Sequence, residues 1–167
     1  MALLLLVIIG IYRVFFRNIM DAEFVKTEFK RKKSIREYYE KELGLHENIV
    51  NDIENNPHDY GMLICTFNIE NKSRNFRAFN IKIEPQFEEE FKKLVLWYDK
   101  NLGVAPIAIR PDDQVRGVNL LIFIKNEGHT ENEIINMVKE SKFKVSGLTG
   151  KSIFSIGYDS IVVEYQY

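Results

Sequence analysis

What the chain has little of narrows it first. Of its 167 residues only one is cysteine, one tryptophan, three are histidine and four proline. The single thiol, Cys65, excludes an internal disulfide and any metal site built from several cysteines. It lies in an apolar alternating run, the setting of an inert buried thiol. His46, His58 and His129 fall in loops or at helix ends without metal-ligand spacing and read as exposed loop residues. No G-x-S-x-G elbow is present, and no cysteine–histidine pair is suggested by context. Glycine and proline are too sparse for a low-complexity or disordered tract. Neither sign of charge dominates: a net charge of −1 gives no global pull toward nucleic acid. No cofactor, metal or nucleic-acid partner is expected from these features. What remains is a folded composition, 46% hydrophobic and 28% charged. Its richness in Ile, Asn and Lys fits an AT-rich bacterial genome.

One apolar run stands out, "MALLLLVIIGIYRVFF". As a helix, positions 2–16 cover roughly 22 Å, short of the ~30 Å hydrocarbon core, and Arg13 and Arg17 can snorkel to lengthen it. The run lacks the charged start and small-residue cleavage site of a signal peptide. Leucine, valine and isoleucine occupy every side of that helix, so residues 1–20 are expected to be a membrane anchor. Leu3, Leu4, Leu5, Leu6, Val7, Ile8, Ile9, Phe15 and Phe16 are its lipid-facing residues. The basic residues Arg13, Arg17, Lys30, Arg31, Lys32 and Lys33 all follow the unbroken apolar stretch 2–12. The positive-inside rule then puts the C-terminal domain in the cytoplasm, at the cell membrane in a single-pass protein. The cluster "KRKKSIR" also suits anionic lipid at the inner surface.

Residues 21–56 read as a helical stalk. Phe24, Val25, Phe29, Ile35, Tyr38, Tyr39 and Leu43 recur at spacings near three and four. Gly44 is placed to stop that helix, and a short helix from Glu47 to Glu54 ends at "NNP".

From position 57 onward an α+β domain is expected. "MLICTFNIE" puts Leu63, Cys65, Phe67 and Ile69 on one face, and "FRAFNIKIE" follows after a turn, so the two read as a hairpin. "PQFEEEFKKLVLWYDKNLG" carries a helical stripe of Phe87, Phe91, Leu94, Val95, Tyr98 and Leu102. A second hairpin, "VAPIAIR" with "VNLLIFIKN", precedes a helix opened by a Thr130–Glu133 capping box. Short strands close the chain. The expected fold is a mainly antiparallel meandering sheet with two helices on one face, after the anchor and stalk helices. A ferredoxin-like core with extra strands is the alternative.

"SGLTGKSIFSIG" imitates a nucleotide-binding loop, G-x-x-x-x-G-K-[ST]. The first glycine of that pattern falls on Val145, however, and the residues after Ser152 alternate like a strand. A turn between strands is the better reading, and no nucleotide is expected.

Two features point to binding. The hairpin tip "RPDDQVRG" presents Arg110, Asp112, Asp113 and Arg116. "VNLLIFIK" is apolar on both faces, so helices on one side only would leave Leu121 and Phe123 as a contact patch, unless the stalk covers them. The functional expectation is a membrane-anchored protein-binding module without catalytic activity: an adaptor, sensor or assembly component. The alternative is an immunity-type inhibitor that neutralises a toxin at the membrane. The partners would be the membrane and another protein.

Overall fold

The computed structural model describes residues 19–31, 36, 38–100, 108–150 and 157–166. Of the expected anchor, residues 1–18, including Arg13 and Arg17, lie outside the described residues, as do Lys32 and Lys33, whereas Met20 begins a strand of the domain and is buried in its core. No helix among the described residues is long and apolar enough to cross a membrane.

The domain is mostly antiparallel β-sheet with a few helices. Its strands are β1 (Met20–Lys30), β2 (Tyr60–Asn71), β3 (Arg77–Gln86), β4 (Val95–Tyr98), β5 (Ala108–Ile109), β6 (Asp113–Lys125), β7 (Lys142–Gly150) and β8 (Gly157–Val163). Its α-helices are α1 (Glu47–Asn55), α2 (Glu89–Leu94) and α3 (Glu131–Glu140), and a π-helical turn spans Tyr38–Glu42. The strands form two four-stranded sheets, in the orders β1-β2-β6-β4 and β5-β3-β7-β8. We call these the first and second sheet.

The expected single meander is therefore corrected to two sheets packed face to face. Leu63, Cys65, Phe67 and Ile69 of β2 and Val118, Leu120, Ile122 and Ile124 of β6 meet Ile81, Ile83, Phe143, Val145 and Val163 of the second sheet in one core. Phe24, Phe67 and Phe143 form its centre, with ring centroids 4.9 to 5.1 Å apart. Neither expected hairpin forms. β2 pairs with β1 and β6, and β3 pairs with β7 and β5, so the chain crosses between sheets at residues 72–76 and again at 110–112.

One side chain holds both crossings. Asn71 is fully buried, and its Nδ2 donates to the carbonyls of Phe76 (2.8 Å), Ile109 (3.2 Å) and Arg110 (3.1 Å). At the opposite end α2 and α3 make the return crossings and close the core with Phe91, Leu94, Ile134 and Val138. The expected helices thus cap one end instead of lying on one face. The capping box of α3 is present: Glu133 N–H donates to Thr130 Oγ1 at 3.3 Å, and Thr130 N–H to Glu133 Oε2 at 2.7 Å.

The stalk is corrected more sharply. Residues 20–30 are the edge strand β1 of the first sheet, paired along β2 from Met20↔Asn71 to Lys30↔Met62. The carboxylate of Asp159 accepts the backbone N–H groups of Ile19 (2.7 Å) and Met20 (2.8 Å), tying the start of β1 to β8. At ~3.3 Å per residue, the strand carries Lys30 and Arg31 about 33 Å from Met20. They do not follow directly on the apolar run, and Arg31 pairs with Glu131 of α3 at 3.0 Å. Edge strands invite unwanted pairing, and β1 counters this with a bulge between Phe24 and Lys26 and with Lys26, Glu28 and Lys30 beyond it.

The π-helical turn and α1 return over the outer face of the first sheet. Tyr39, Leu43, Val50 and Ile53 bury themselves on Tyr60, Met62 and Phe123 as a second apolar cluster. Each such fully buried side chain contributes roughly 1.5–3 kcal/mol. Gly44, at φ +63°, ends the turn where a stop was expected. The β7–β8 pairing sets Thr149 opposite Gly157 in two antiparallel strands, and Lys151 and Ser152 lie outside the described residues.

Candidate binding surfaces

The sequence-predicted residues divide between two places. Arg110, Asp112, Asp113 and Arg116 are exposed at the crossover end of the sandwich. Asp112 takes φ +50°, a conformation that aspartate tolerates better than most residues, and its N–H donates to Ser73 O at 2.9 Å. Arg116 lines a shallow polar hollow on the outer face of the first sheet, about 430 Å³, with Asp21, Glu23, Asn68, Glu70 and Gln114. The lysine of the 72–76 crossing holds Asp21 below its ordinary carboxylate range through the Lys72–Asp21 ion pair. Asp112 and Asp113 are not brought to His129, which stands beside the α3 start at the other end.

Leu121 and Phe123 do not form an open patch. Phe123 is 1% exposed beneath Tyr39 and Tyr60, with ring centroids at 5.2 and 6.0 Å, and Leu121 packs at the margin of the same cluster. The side of the sheet was read correctly; the chain that was expected to be a stalk covers it.

A charged cluster that sequence reasoning missed fastens this cover. Asp52 of α1 accepts from Lys125 Nζ at 2.7 Å, from Asn56 Nδ2 at 2.8 Å and from the Tyr60 hydroxyl. Lys125 first, then Tyr60 and Asn56, hold the Asp52 carboxyl well below its usual range. Burial, followed by the hydrogen bond to Asp52, pushes the Tyr60 hydroxyl up to about 12. The Lys125 ammonium is stabilised in turn by Asp52 and Tyr60, and it lies 5.4 Å from the Tyr60 ring centroid. Every shift favours the resting charge state, so the cluster is a staple between helix and sheet with no group poised to exchange a proton near neutrality. Cys65 is equally quiescent: burial raises its thiol to about 12, and the Thr27 hydroxyl is its neighbour at 3.7 Å. No group of three or more His, Cys, Asp or Glu residues suited to a metal occurs among the described residues.

A second concavity lies elsewhere, along the outer edge of β4. A cleft of about 490 Å³ is lined by Pro85, Gln86 and Phe87 at the end of β3, by Lys92 of α2, and by Val95–Tyr98 and Lys100. The rings of Phe87 and Tyr98 meet edge to face at 5.9 Å, and Lys100 Nζ sits 5.6 Å from the Tyr98 ring centroid. Sequence reading hid this site inside a long helix. Its signal was "VLWY", a β-branched and aromatic run that suits a strand.

No protein-family model and no curated protein matches the chain. Among solved structures it is similar to the cupredoxin domain of amoB from Nitrosocaldus yellowstonii, at 12% identity and TM-score 0.29 over 89% of this chain and 88% of that one. It is also similar to a FixG-related protein from Vibrio parahaemolyticus, at 10% identity and TM-score 0.25 over 89% and 98%. A protein from Archaeoglobus fulgidus shows 9% identity and TM-score 0.30 over 88% and 99%.

Proposed function

We propose that the chain is a membrane-anchored, non-catalytic protein-binding module. The observation that carries this reading is the aromatic and lysine-lined cleft beside the β4 edge of the first sheet. Concave apolar surface with a few placed polar groups is what recognition sites require. The apolar run before residue 17 supports attachment to a membrane, and the Asp159 contacts with Ile19 and Met20 would fix the domain close to where that segment ends. The basic residues after the run support a cytoplasmic domain.

Topology tests the attachment. Paired C-terminal fusions, one to a reporter active only outside the cytoplasm and one fluorescent only inside, should both report the inside. An outside result removes the cytoplasmic assignment. The binding reading is tested by co-purification of the wild-type chain and a Trp97→Ala variant. A partner retained by the first and lost by the second supports it; identical eluates remove it. A tight equimolar complex with a toxin would narrow the reading to an immunity-type inhibitor.

A further inference from the structure

The two outer faces of the sandwich are finished differently. The π-helical turn and α1 lie over the first sheet, and no helix among the described residues lies over the second. The second sheet also takes hold of the chain's start. Asp159 of β8 accepts the N–H groups of Ile19 and Met20, and Tyr158, its neighbour in β8, is 58% exposed. Residues that alternate with the buried Ala78, Ile83, Phe143, Val145 and Val163 point outward from this sheet. Two rows across its strands, Phe79↔Leu148↔Tyr158 and Glu84↔Lys144↔Val162, share that outer face, with Lys82 between them and Arg77 beyond the first. Val162 is 52% exposed, so large apolar side chains stand open beside cations. Lys144 Nζ lies 5.9 Å from the Tyr158 ring centroid, and Arg77, Lys82 and Lys144 form no ion pair among the described residues. Glu84 is the carboxylate within these rows; Glu164, beyond Val163, is paired with Lys142 at 2.8 Å. Residues 1–18, which lead to Ile19, and 101–107 and 151–156, which lead to β5 and β8, lie outside the described residues and contain no carboxylate to meet the cations. The first sheet's open half has the other sign, with Asp21, Glu23 and Glu70 lining its hollow beside Arg116.

We infer that the outer face of the second sheet rests on the anionic headgroup surface of the membrane to which residues 1–18 attach the chain. Arg77, Lys82 and Lys144 meet the lipid phosphates, and Tyr158 and Val162 enter the headgroup layer between them. Tyrosine suits that depth, because its ring is apolar and its hydroxyl is wet. Each cation adds only a modest attraction, but attachment at Ile19 makes the contact intramolecular, so a few suffice. Tyr158 and Val162 lie ~13 Å apart along β8, beginning beside the residue that holds the chain's entry. A cover formed by residues 1–18 would leave three cations facing a segment without an acid, and two stacked copies would set like charges together. The contact replaces the one expected of Lys30 and Arg31, which β1 carries to the far end of the sandwich. The inference rests on the proposed membrane attachment.

Cys65 is buried, so a fluorophore can be placed on an introduced thiol alone. The full chain carrying Val162→Cys, or Glu70→Cys on the opposite face, is labelled and reconstituted into phospholipid nanodiscs with a trace of headgroup-nitroxide lipid as quencher. The discs hold phosphatidylcholine alone, or phosphatidylcholine with about one-quarter phosphatidylglycerol. In the anionic discs the label at position 162 should be quenched severalfold more strongly than the label at position 70. Raising the salt to about 0.5 M should bring the two labels together, as should adding Arg77→Gln/Lys82→Gln/Lys144→Gln. The lipid and salt comparisons need no change in the basic set, so they decide the matter even if that variant folds poorly. Equal quenching of the two labels in anionic discs overturns the inference, as does a difference that persists undiminished in phosphatidylcholine alone. A label at position 162 that is already shielded from iodide in detergent also overturns it, because residues 1–18 or a second copy then cover the face. Flotation with phosphatidylcholine vesicles after an alkaline wash reads the attachment separately. A chain that floats while its labels are equally quenched loses this contact and keeps the attachment; a chain that does not float loses both.

Discussion

The outer face of the first sheet is one surface with two fates. Along β2 and β6, the pairs Met62↔Phe123 and Ile64↔Leu121 lie under α1 and the π-helical turn, whereas two residues further the pair Thr66↔Asn119 begins a polar half. That half continues through Asn68, Glu70, Gln114 and Arg116, and no helix among the described residues covers it. The difference teaches that each strand's second face was written in segments, apolar only as far as the returning chain reaches. A strand apolar on both faces therefore signals a cover as readily as a binding patch.

The largest test of this contrast is Phe123→Ala. Removing a fully buried ring that three elements share should cost ~3–5 kcal/mol, seen as a lower urea midpoint. The matching change in the open half, Asn119→Ala, removes the acceptor of the Thr66 hydroxyl (2.9 Å) and should cost only about 1 kcal/mol. Equal costs would erase the distinction between the halves.

Asn71→Ala sharpens it from another side, because Asn71 sits at the polar end of β2 and yet is buried. Losing its bonds to three carbonyls loosens both sheet crossings, and a cost of roughly 1–3 kcal/mol is expected. Faster amide exchange at 72–76 and 110–113 should accompany it. A neutral result would mean that the crossings hold without this clamp.

These contrasts also show what the sequence could and could not reveal. The α3 capping box, the inward faces of β2 and β6 and the stop at Gly44 were legible, because each is set by neighbours in the chain. β1 was misread as helix for a specific reason. Its inward residues are Met20, Phe24 and, beyond the bulge, Phe29, so an interrupted period of two imitates helical spacing. The stretch 95–98 was misread because its partner, β6, lies far along the chain and overrides the helical stripe. Five residues between β2 and β3 suit a hairpin and a crossing alike; the buried side chain of Asn71 marks the crossing, and burial cannot be read from one asparagine. Arg110, Asp112, Asp113 and Arg116 are exposed, but in a sheet crossing and the start of β6 and not at the hairpin tip that was expected. The cleft was not visible, since its lining comes from the ends of three elements whose types were partly wrong.

Acid should loosen the covered half selectively. The folded-state value of Asp52 is depressed, so its contribution is present above the ordinary 3.8 and is lost as pH falls below that toward the folded value. Below about pH 4, α1 should therefore exchange its amides faster than the β2–β6 core. Asp52→Asn should remove that pH dependence; its persistence in the variant would assign the effect to other carboxylates. On the alkaline side the sign reverses. The Tyr60 value is raised, so its contribution is complete below its ordinary 10.0 and is lost as pH rises through about 12.

The smallest effect belongs to Glu70→Ala, in the middle of the open half. Glu70 is exposed, and its neighbours Gln114 and Asp21 across the strands present no apolar surface for it to cover. A surface substitution of this kind should stay within about 0.5 kcal/mol by urea unfolding. If the cost instead approaches that of Asn119→Ala, the polar half is a coupled network, and the boundary between the two halves would mark two kinds of packing. A negligible cost leaves the open half as surface whose residues are not constrained by the fold and remain available to whatever approaches it.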